Sequence, residues 1–362
     1  MPASSSIKLF CSSNSHMHLI KPKALQSGDK VAVISLSWGG AGELPDRYQQ
    51  GKRQLQATFG LEVVETQHAL KSAQWLYENP QARANDLLAA FADPTIKAII
   101  STIGGDDSCR ILRYVNVEII KRNPKIFLGF SDSTITHFLC LKAGLTSFYG
   151  TSLLVGFAEN GGMLPYQVAD INRTLFSATA PGELEPNERG WTSELLDWSD
   201  SSLLSTKRKL EPSPGWNFLQ GTQRVQGRLI GGCMEALESL KNTDFWPGKE
   251  LWANAILFFE TSEMQPEPDY FRWWLRNYAA QGILQMAQGL ILGRPDNNKY
   301  VAEYNAELIK VLAEEGLTNM PVITEMDFGH TSPVFTIPYG VMAQIDSRNH
   351  TFSLLESGVA EA

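Results

Sequence analysis

The sequence is poor in cysteine, and its cysteines follow no spacing that would bind a metal. Neither a Cys-x-x-Cys nor a Cys-x-His motif occurs, so a structural zinc site and a disulfide framework are not indicated. We therefore predict no metal site and a reducing compartment, with the cytoplasm as the expected location. The four cysteines are Cys11, Cys109, Cys140 and Cys233.

Long apolar runs and an excess of basic residues are also missing. No uninterrupted apolar stretch approaches the roughly 20 residues that span a bilayer, so we expect no membrane partner. The formal net charge is -8, which argues against a nucleic-acid polymer as partner because such a partner requires a basic face. With 43% hydrophobic and 19% charged residues, the composition is that of a globular protein.

The length of 362 residues is enough for two domains. We predict an N-terminal α/β domain over 17–180, a connecting loop over 181–224 and a C-terminal domain over 225–357. Residues 1–16 are Ser-rich and lack a long apolar segment with a cleavage site. For them we predict a flexible leader or an expression remnant, with Met17 as a second possible start.

Short apolar runs alternate with helical patterns in the N-terminal part. Continuous apolar runs predict buried strands within 29–37, 60–66, 96–102 and 125–130, as in parallel sheets. Apolar residues at helical spacing after an Asn-Pro start predict a helix over 79–93. This alternation implies an α/β fold with a doubly wound parallel sheet and a site at the carboxyl ends of its strands.

The C-terminal part has a mixed pattern. Strands are predicted at 255–260 and 289–294, with a helix over 268–284 between them. Near the end of the chain, "TIPYGVMAQID" and "HTFSLLE" each predict one alternating strand. We expect a second domain of mixed α/β structure.

The predicted connecting loop, 181–224, is rich in Pro, Ser, Glu and Trp. A connection of this length is usually functional or disordered, and its tryptophans argue against disorder because large aromatic side chains normally cover something. Two alternatives remain for Trp191, Trp198 and Trp216. They stack on a nucleobase or cover a peptide stem, or they pack the loop onto the body of the protein.

The stretch "KIFLGFSDSTITHFL", residues 125–139, places a serine where a buried strand turns into a helix. At such a turn the hydroxyl of Ser131 is exposed and the N–H of Asp132 points into the same space, which supplies a nucleophile and half of an oxyanion hole. The spacing is Gly-x-Ser-x-Ser, so the Gly-x-Ser-x-Gly motif of the α/β-hydrolases does not match. Alternatively, Ser131, Asp132 and Ser133 only cap the helix.

A second turn, "STIGGDDS" at 101–108, follows another predicted strand. Its two glycines let the backbone approach a ligand or turn N–H groups toward an anion, so Gly105 or its neighbour is a candidate second oxyanion donor. A Rossmann phosphate loop competes with this interpretation, but Gly-x-Gly-x-x-Gly is absent. A tight turn before an Asp-capped helix is the structural alternative.

A serine nucleophile needs a base, and His330 is the strongest candidate. It lies in "DFGHTSP", a glycine-containing loop at a predicted strand end, where functional residues concentrate. His137 lies six residues after Ser131 in the helix that the serine begins, so its side chain cannot easily reach the Ser131 hydroxyl. The candidate acid is Glu260, at the end of the strand "ILFFE", with Glu263 as the alternative, because a carboxylate there would orient the imidazole. Alternatively, this carboxylate only stabilises the start of a helix through the helix dipole.

Together these segments resemble the LD-carboxypeptidase family of serine peptidases (family S66), especially its microcin C immunity branch. The resemblance extends from about residue 17 to 357 and implies a flavodoxin-like N-terminal domain, a smaller C-terminal mixed α/β domain and a site between them. The matching segments, in family order, are "KPKALQSGDKVAVIS", "STIGGDDS", "FLGFSDSTITH", "GRLIGGCMEAL", "ILFFETSE" and "DFGH".

Carried over position by position, the resemblance assigns the nucleophile to Ser131, the acid to Glu260 and the base to His330. It assigns the oxyanion hole to the backbone N–H groups of Asp132 and Gly105. It implies no cofactor and suggests a homodimer.

The resemblance also concerns the substrate. We predict substrate contacts at Gly104, Asp106, Trp191 and Trp216, since the immunity branch resembles this chain in having a long loop with aromatic residues. One departure is Cys233, which follows a Gly-Gly pair where the family usually has asparagine. This difference puts a polar contact near the domain junction in doubt.

We predict a serine hydrolase that cleaves an amide bond in an aminoacyl or peptidyl nucleotide of the microcin C type. The alternative activity is that of an LD-carboxypeptidase, which releases the terminal D-amino acid from murein tetrapeptides. A two-domain ligand-binding protein without chemistry is the alternative of another class; only an enzyme requires Ser131, Glu260 and His330 within hydrogen-bond reach. A glutamine-amidotransferase-like fold is disfavoured because Cys109 and Cys140 fall within predicted helices.

Overall fold

The computed structural model describes residues 19–362. The predicted leader over 1–16, Met17 and Cys11 lie outside the described residues. Two sheets, of six and eight strands, form the framework. Within 19–362, no helix is both long enough and apolar enough to cross a bilayer.

Six strands form the first sheet. Numbered in chain order through the whole protein, they are β1 (Lys30–Ile34), β2 (Glu62–Glu65), β3 (Ile96–Ser101), β4 (Ile126–Gly129), β5 (Phe148–Tyr149) and β12 (Ile337–Pro338). Their order is β12-β5-β4-β3-β1-β2, and every neighbouring pair is parallel except β12 with β5. The predicted α/β class with a parallel N-terminal sheet is confirmed.

Helices between the strands of this sheet, and one that follows β5, bury both of its faces. They are α1 (Gly40–Glu43), α2 (Pro45–Phe59), α3 (Ala73–Glu78), α4 (Pro80–Ala92), α5 (Val117–Arg122), α6 (Thr134–Ala143) and α7 (Pro165–Leu175). Ile34 of β1 belongs to the same core cluster as Phe91 of α4, whereas the adjacent Val33 clusters with Phe59 of α2. Because successive side chains of a strand point to opposite faces, this division explains the continuous apolar run in the sequence.

Eight strands form the second sheet. They are β6 (Gly182–Leu184), β7 (Asn217–Gln220), β8 (Arg224–Cys233), β9 (Ala255–Glu260), β10 (Gly289–Gly293), β11 (Val322–Met326), β13 (Met342–Asp346) and β14 (Thr351–Leu354). The order is β6-β14-β13-β8-β9-β10-β11-β7, with a parallel centre from β8 to β11 and antiparallel pairs outside it. The sheet is mixed, as predicted. Its helices are α8 (Met234–Leu240), α9 (Lys249–Trp252), α10 (Pro268–Ala280), α11 (Ile283–Met286) and α12 (Val301–Glu314).

Two features of the sheets differ from the sequence prediction. The segment 181–224, predicted as irregular, supplies both edge strands of the second sheet, β6 and β7. The single strand predicted from "TIPYGVMAQID" is divided into β12 of the first sheet and β13 of the second. Pro338 lacks a backbone N–H, and Gly340 has a φ of +71°, so the chain turns there and crosses from one sheet to the other.

One hydrophobic cluster joins the two sheets. Tyr149 at the end of β5 packs against Phe258 of β9, with 5.5 Å between the ring centroids. Tyr339, just after β12, donates its hydroxyl hydrogen to the carbonyl oxygen of Gly231 in β8 at 2.7 Å. The end of β5 and the residue after β12 therefore contact β9 and β8 at the junction of the two sheets.

Candidate active site

Ser131 begins the short turn between β4 and α6. Its φ is +58°, a left-handed conformation that stores strain in a non-glycine residue. The backbone is held there because its N–H donates to the Tyr149 hydroxyl at 2.9 Å, while its carbonyl oxygen accepts from the Thr134 hydroxyl at 2.7 Å. Helix N-caps normally have extended backbone angles, so this conformation is unlike that of a residue that only caps α6.

The structure brings Ser131, His330 and Glu260 together. His330 Nε2 lies 3.0 Å from Ser131 Oγ, and His330 Nδ1 lies 2.7 Å from Glu260 Oε2. Both are hydrogen-bond distances, although Ser131 and His330 are 199 positions apart in the chain. Glu260, the last residue of β9, is fully buried, and the His330 side chain is 9% exposed.

Glycines make room for the carboxylate of Glu260. Gly329, immediately before His330, has a φ of +96°, and a Cβ there would lie 2.8 Å from Glu260 Oε2. A Cβ on Gly293, at the end of β10, would lie 3.0 Å from Glu260 Cβ. The glycine of the "DFGH" segment is therefore required by the close approach of His330 to Glu260.

Tyr149, which the sequence analysis did not select, connects the serine to the acid. Its hydroxyl donates to Glu260 Oε1 and accepts from the Ser131 N–H. Burial and the negative charge of Glu260 raise the pKa of Tyr149 well above its ordinary value, so the phenol stays protonated and remains a donor. Its place at the end of a two-residue strand provides no motif from which this role could be predicted.

His330 lies between two carboxylates. Glu260 contacts Nδ1, and Glu263 Oε2 lies 3.1 Å from Nε2. Burial by itself lowers the pKa of His330, but Glu260 and Glu263 outweigh burial and hold that pKa well above its ordinary value. The hydrogen bond with His330 lowers the pKa of Glu263 to about 2. The Glu263 side chain is 68% exposed, so one of the two carboxylates is open to solvent.

The Asp132 carboxylate fixes the turn 104–108 against the Ser131 turn. Its Oδ2 accepts the N–H of Asp107 at 3.1 Å and the N–H of Ser108 at 2.9 Å. The Ser108 hydroxyl in turn donates to the Asp132 carbonyl oxygen at 2.9 Å. The sequence analysis selected Asp132 for its backbone N–H alone, and it missed this function of the side chain.

Gly104 lies directly beside Ser131, since a Cβ on it would be 2.9 Å from Ser131 Cβ and 3.3 Å from the Asp132 nitrogen. Gly105 has a φ of +141°, and its N–H makes no backbone hydrogen bond within 19–362. Asp106 is exposed on the same turn. All three thus lie on the turn that borders the serine, while the roles assigned to them stay predictions.

The predicted substrate-binding tryptophans pack against the body of the protein. Trp191 is 6% exposed, and the guanidinium of Arg294 lies over its indole ring, with 5.1 Å between Arg294 Cζ and the ring centroid. Trp216 donates from its indole nitrogen to Asp327 Oδ2 at 2.8 Å and packs against Phe335. These contacts are those of the second alternative, in which the tryptophans anchor the loop. Substrate contact by either ring stays a prediction.

Cys233, at the family's asparagine position, is a buried thiol beside the acid. It pairs with Glu260 in the register of β8 and β9, and its Sγ lies 3.4 Å from Glu235 Oε2. Burial, followed by Glu260 and Glu235, raises the pKa of Cys233 well above its ordinary value. A thiol that resists ionisation is a poor nucleophile, which further disfavours the amidotransferase alternative.

The fold and the site define a class: a two-domain α/β protein in which a strained serine, a histidine and a buried glutamate meet between the sheets. Comparison with protein-family models agrees, since residues 31–150 match the LD-carboxypeptidase N-terminal domain and residues 226–345 match the LD-carboxypeptidase C-terminal domain. The chain therefore belongs to the LD-carboxypeptidase family of serine peptidases (family S66), as the resemblance predicted.

Individual relatives match over nearly the whole chain. A Vibrio cholerae protein that is named as a carboxypeptidase is 30% identical to this chain. The match covers 93% of this chain and 98% of the relative's own length. The microcin C7 self-immunity protein MccF of Escherichia coli is 26% identical over 94% of this chain and 97% of its own length.

Solved structures of MccF-like proteins are similar throughout. An MccF-like protein from Streptococcus pneumoniae in complex with AMP has a TM-score of 0.82 and 30% identity, covering 90% of this chain and 98% of its own. MccF in complex with aspartyl sulfamoyl adenosine also has a TM-score of 0.82, with 26% identity over 94% of this chain and 100% of its own.

Proposed function

We propose that this chain is a serine hydrolase that cleaves an amide bond through Ser131, His330 and Glu260. The proposal depends on the two contacts of His330, 3.0 Å to the serine hydroxyl and 2.7 Å to the carboxylate. Nucleophilic catalysis by serine requires this arrangement. A protein that only binds a ligand has no need of it.

The geometry supports the following reaction. His330 Nε2 accepts the hydroxyl proton as Ser131 Oγ attacks the carbonyl carbon, and Glu260 holds the imidazole and stabilises the imidazolium. The N–H groups of Asp132 and Gly105 stabilise the oxyanion. The C–N bond breaks when His330 returns the proton to the leaving nitrogen, and water then releases the acyl group from Ser131 by the same steps.

Glu260 is the acid of this proposal because of the nitrogen that it contacts. The orienting carboxylate must hold Nδ1 so that Nε2 is free to accept the proton of the serine. Glu260 lies at Nδ1, whereas Glu263 shares Nε2 with Ser131. Glu263 therefore has no place as the orienting acid.

We further propose that the substrate is an aminoacyl or peptidyl nucleotide of the microcin C type. The support is the similarity to MccF, whose structure with aspartyl sulfamoyl adenosine matches this chain over almost its full length. Cleavage would fall at the amide that joins the acyl group to the nucleotide. The homodimer suggested by the resemblance stays a prediction.

A second candidate is the release of a terminal D-amino acid from a murein tetrapeptide. The matching family models are described as LD-carboxypeptidase domains, and the Vibrio cholerae relative has a carboxypeptidase name. Both substrates present a carbonyl for attack by the same three residues, so the site itself supports either candidate.

A direct comparison of substrates tests the proposal. The purified protein is incubated with an aminoacyl sulfamoyl adenosine and with a murein tetrapeptide, and products are followed by liquid chromatography and mass spectrometry. We expect cleavage of the sulfamoyl adenosine at its acyl bond, and none with Ser131→Ala. Faster cleavage of the tetrapeptide would favour the second candidate, and unchanged activity in Ser131→Ala would refute the mechanism.

A further inference from the structure

Glu263 and Ser131 contact the same nitrogen atom. Glu263 Oε2 lies 3.1 Å from His330 Nε2, and Ser131 Oγ lies 3.0 Å from it. Because both distances start from one atom, the carboxylate is no more than about 6 Å from the serine hydroxyl. A negative charge therefore lies next to the position where a substrate carbonyl would be attacked.

The proposed reaction makes no use of this carboxylate. Glu260 already occupies Nδ1, and an acid that competes with the serine for Nε2 hinders proton transfer. Glu263 is 68% exposed on its side chain, and His330 is its one ion-pair partner in the part of the chain that the structure describes. Its solvent-facing side is thus available to a cation.

The turn that holds Glu263 is anchored. The Glu235 carboxylate accepts two hydrogen bonds from Ser262, from its N–H at 2.9 Å and from its hydroxyl at 2.7 Å. The Ser262 carbonyl oxygen accepts the N–H of Gln265 at 3.0 Å. Ser262 is buried, at 6% exposure. The backbone next to Glu263 is therefore held against Glu235 of α8, and the turn is closed by a hydrogen bond across Glu263, as a substrate-recognition residue requires.

We propose that Glu263 binds the free α-ammonium group of an aminoacyl substrate, so that the site prefers an unblocked aminoacyl group to an N-acylated, peptidyl one. This inference rests on the proposed function and narrows its substrate class. The α-nitrogen lies about 2.5 Å from the carbonyl carbon of the same residue, and the attacked carbon sits about 3–3.5 Å from the nucleophile. An ammonium so placed falls within reach of the Glu263 carboxylate, where a charge-assisted hydrogen bond forms.

The same contact affects the base. In the free protein Glu263 competes with Ser131 for His330 Nε2. An ammonium that takes the carboxylate leaves Nε2 to the serine alone. An amide nitrogen is uncharged and cannot draw the carboxylate away as strongly. Recognition of the cation therefore frees the base as well as orienting the acyl group.

Two matched pairs of substrates test the inference. One pair is alanyl sulfamoyl adenosine and its N-acetyl derivative, and the other is alanine p-nitrophenyl ester and its N-acetyl derivative. The kcat/KM of each is measured for the native protein, Glu263→Gln and Glu263→Asp. The control is Glu303→Gln, which removes an exposed carboxylate from α12.

For the native protein and Glu303→Gln we expect the free amine to be preferred by roughly tenfold or more. Glu263→Gln should lose most of this preference, chiefly through a higher KM for the free amines, and Glu263→Asp should keep part of it. A purely structural role of Glu263 would lower all rates together and leave the preference unchanged.

The outcomes separate this inference from the proposed function. The inference is overturned if the native protein has the same kcat/KM for the free and the N-acetylated substrates. It is also overturned if Glu263→Gln keeps the native preference for the free amine. If only the esters are cleaved, and with the expected preference, the nucleotide substrate is refuted while the role of Glu263 is supported. No turnover of any of the substrates would overturn both.

Discussion

Tyr149 and Glu260 share a hydrogen bond that connects the two sheets. The Tyr149 hydroxyl, at the end of β5, donates to Glu260 Oε1 at the end of β9, and its oxygen also accepts the Ser131 N–H at 2.9 Å. Both side chains are fully buried. A single phenol therefore positions the backbone of the nucleophile and the carboxylate that orients His330.

Replacement of Tyr149 by phenylalanine should lower kcat by about 10–100-fold, as is common when a group that orients catalytic residues is lost. KM should change little, because the hydroxyl contacts protein groups. The buried Ser131 N–H would lose its partner, which costs about 1–3 kcal/mol in the free energy of unfolding. Steady-state kinetics and urea unfolding measure the two effects.

Tyr339→Phe is the matched control. Its side chain belongs to the same hydrophobic cluster, and its hydroxyl donates to the Gly231 carbonyl oxygen at 2.7 Å. This variant therefore loses one buried hydrogen bond, whereas Tyr149→Phe loses two. It should lose stability while keeping kcat close to that of the native protein. Equal losses of kcat in the two variants would show that Tyr149 contributes only to stability.

The strands at the centre of each sheet could be predicted because their sequences are determined by burial. β1, β4 and β9 are enclosed and read as continuous apolar runs. The edge strands β6 and β12 have three and two residues, too few to show a period. They form because each pairs with a strand that is distant in the sequence, β6 with β14 and β12 with β5.

A similar division applies to the site. Ser131, Glu260 and His330 could be selected because each lies at or just after the end of a recognisable strand, and because the surrounding motifs resemble one family. Tyr149 and the carboxylate of Asp132 could not, since their functions arise from tertiary contacts. The choice between Glu260 and Glu263 as the orienting acid also needed coordinates, because only the geometry shows which nitrogen of His330 each carboxylate contacts.

Ser131→Ala should reduce kcat by at least about a thousandfold, because the nucleophile is removed while the oxyanion donors and the binding surfaces remain. A fluorophosphonate probe should label the native protein at Ser131, which peptide mass spectrometry can locate. Ser133→Ala, a buried serine on the same turn, is the control and should still be labelled. Labelling at another residue would remove the assignment of Ser131.

Gly105→Ala should impair the predicted oxyanion hole. A Cβ at Gly105 would lie 2.4 Å from Ser37 Oγ and 2.9 Å from the Trp38 nitrogen, so the turn must shift and the Gly105 N–H must leave its present position. Loss of one oxyanion donor lowers kcat by about 100–1,000-fold. Gly144→Ala is the control, because Gly144 also has a positive φ, +77°, and nothing lies within 4 Å of its Cβ position. It should be strained and less stable, yet active.

The pH dependence follows from the two carboxylates that face His330. Glu260 and Glu263 hold the pKa of His330 above the ordinary 6.5, and only the neutral imidazole accepts the serine proton. The kcat/KM, which reports the free enzyme, should therefore rise with pH to a midpoint above 6.5. Glu263→Gln removes one of the two negative charges and should move this midpoint to lower pH.

The raised pKa has a matching effect on stability. The unfolded chain has an ordinary His pKa of about 6.5, so the folded protein binds an extra proton between that value and its own higher pKa. The stabilisation is fully present below the unfolded value and is lost as pH rises through the folded one. The free energy of unfolding of the native protein relative to His330→Gln should therefore decrease with pH across this interval. A difference that increased with pH would mean that His330 is neutral in the folded protein, and that neither carboxylate controls its charge.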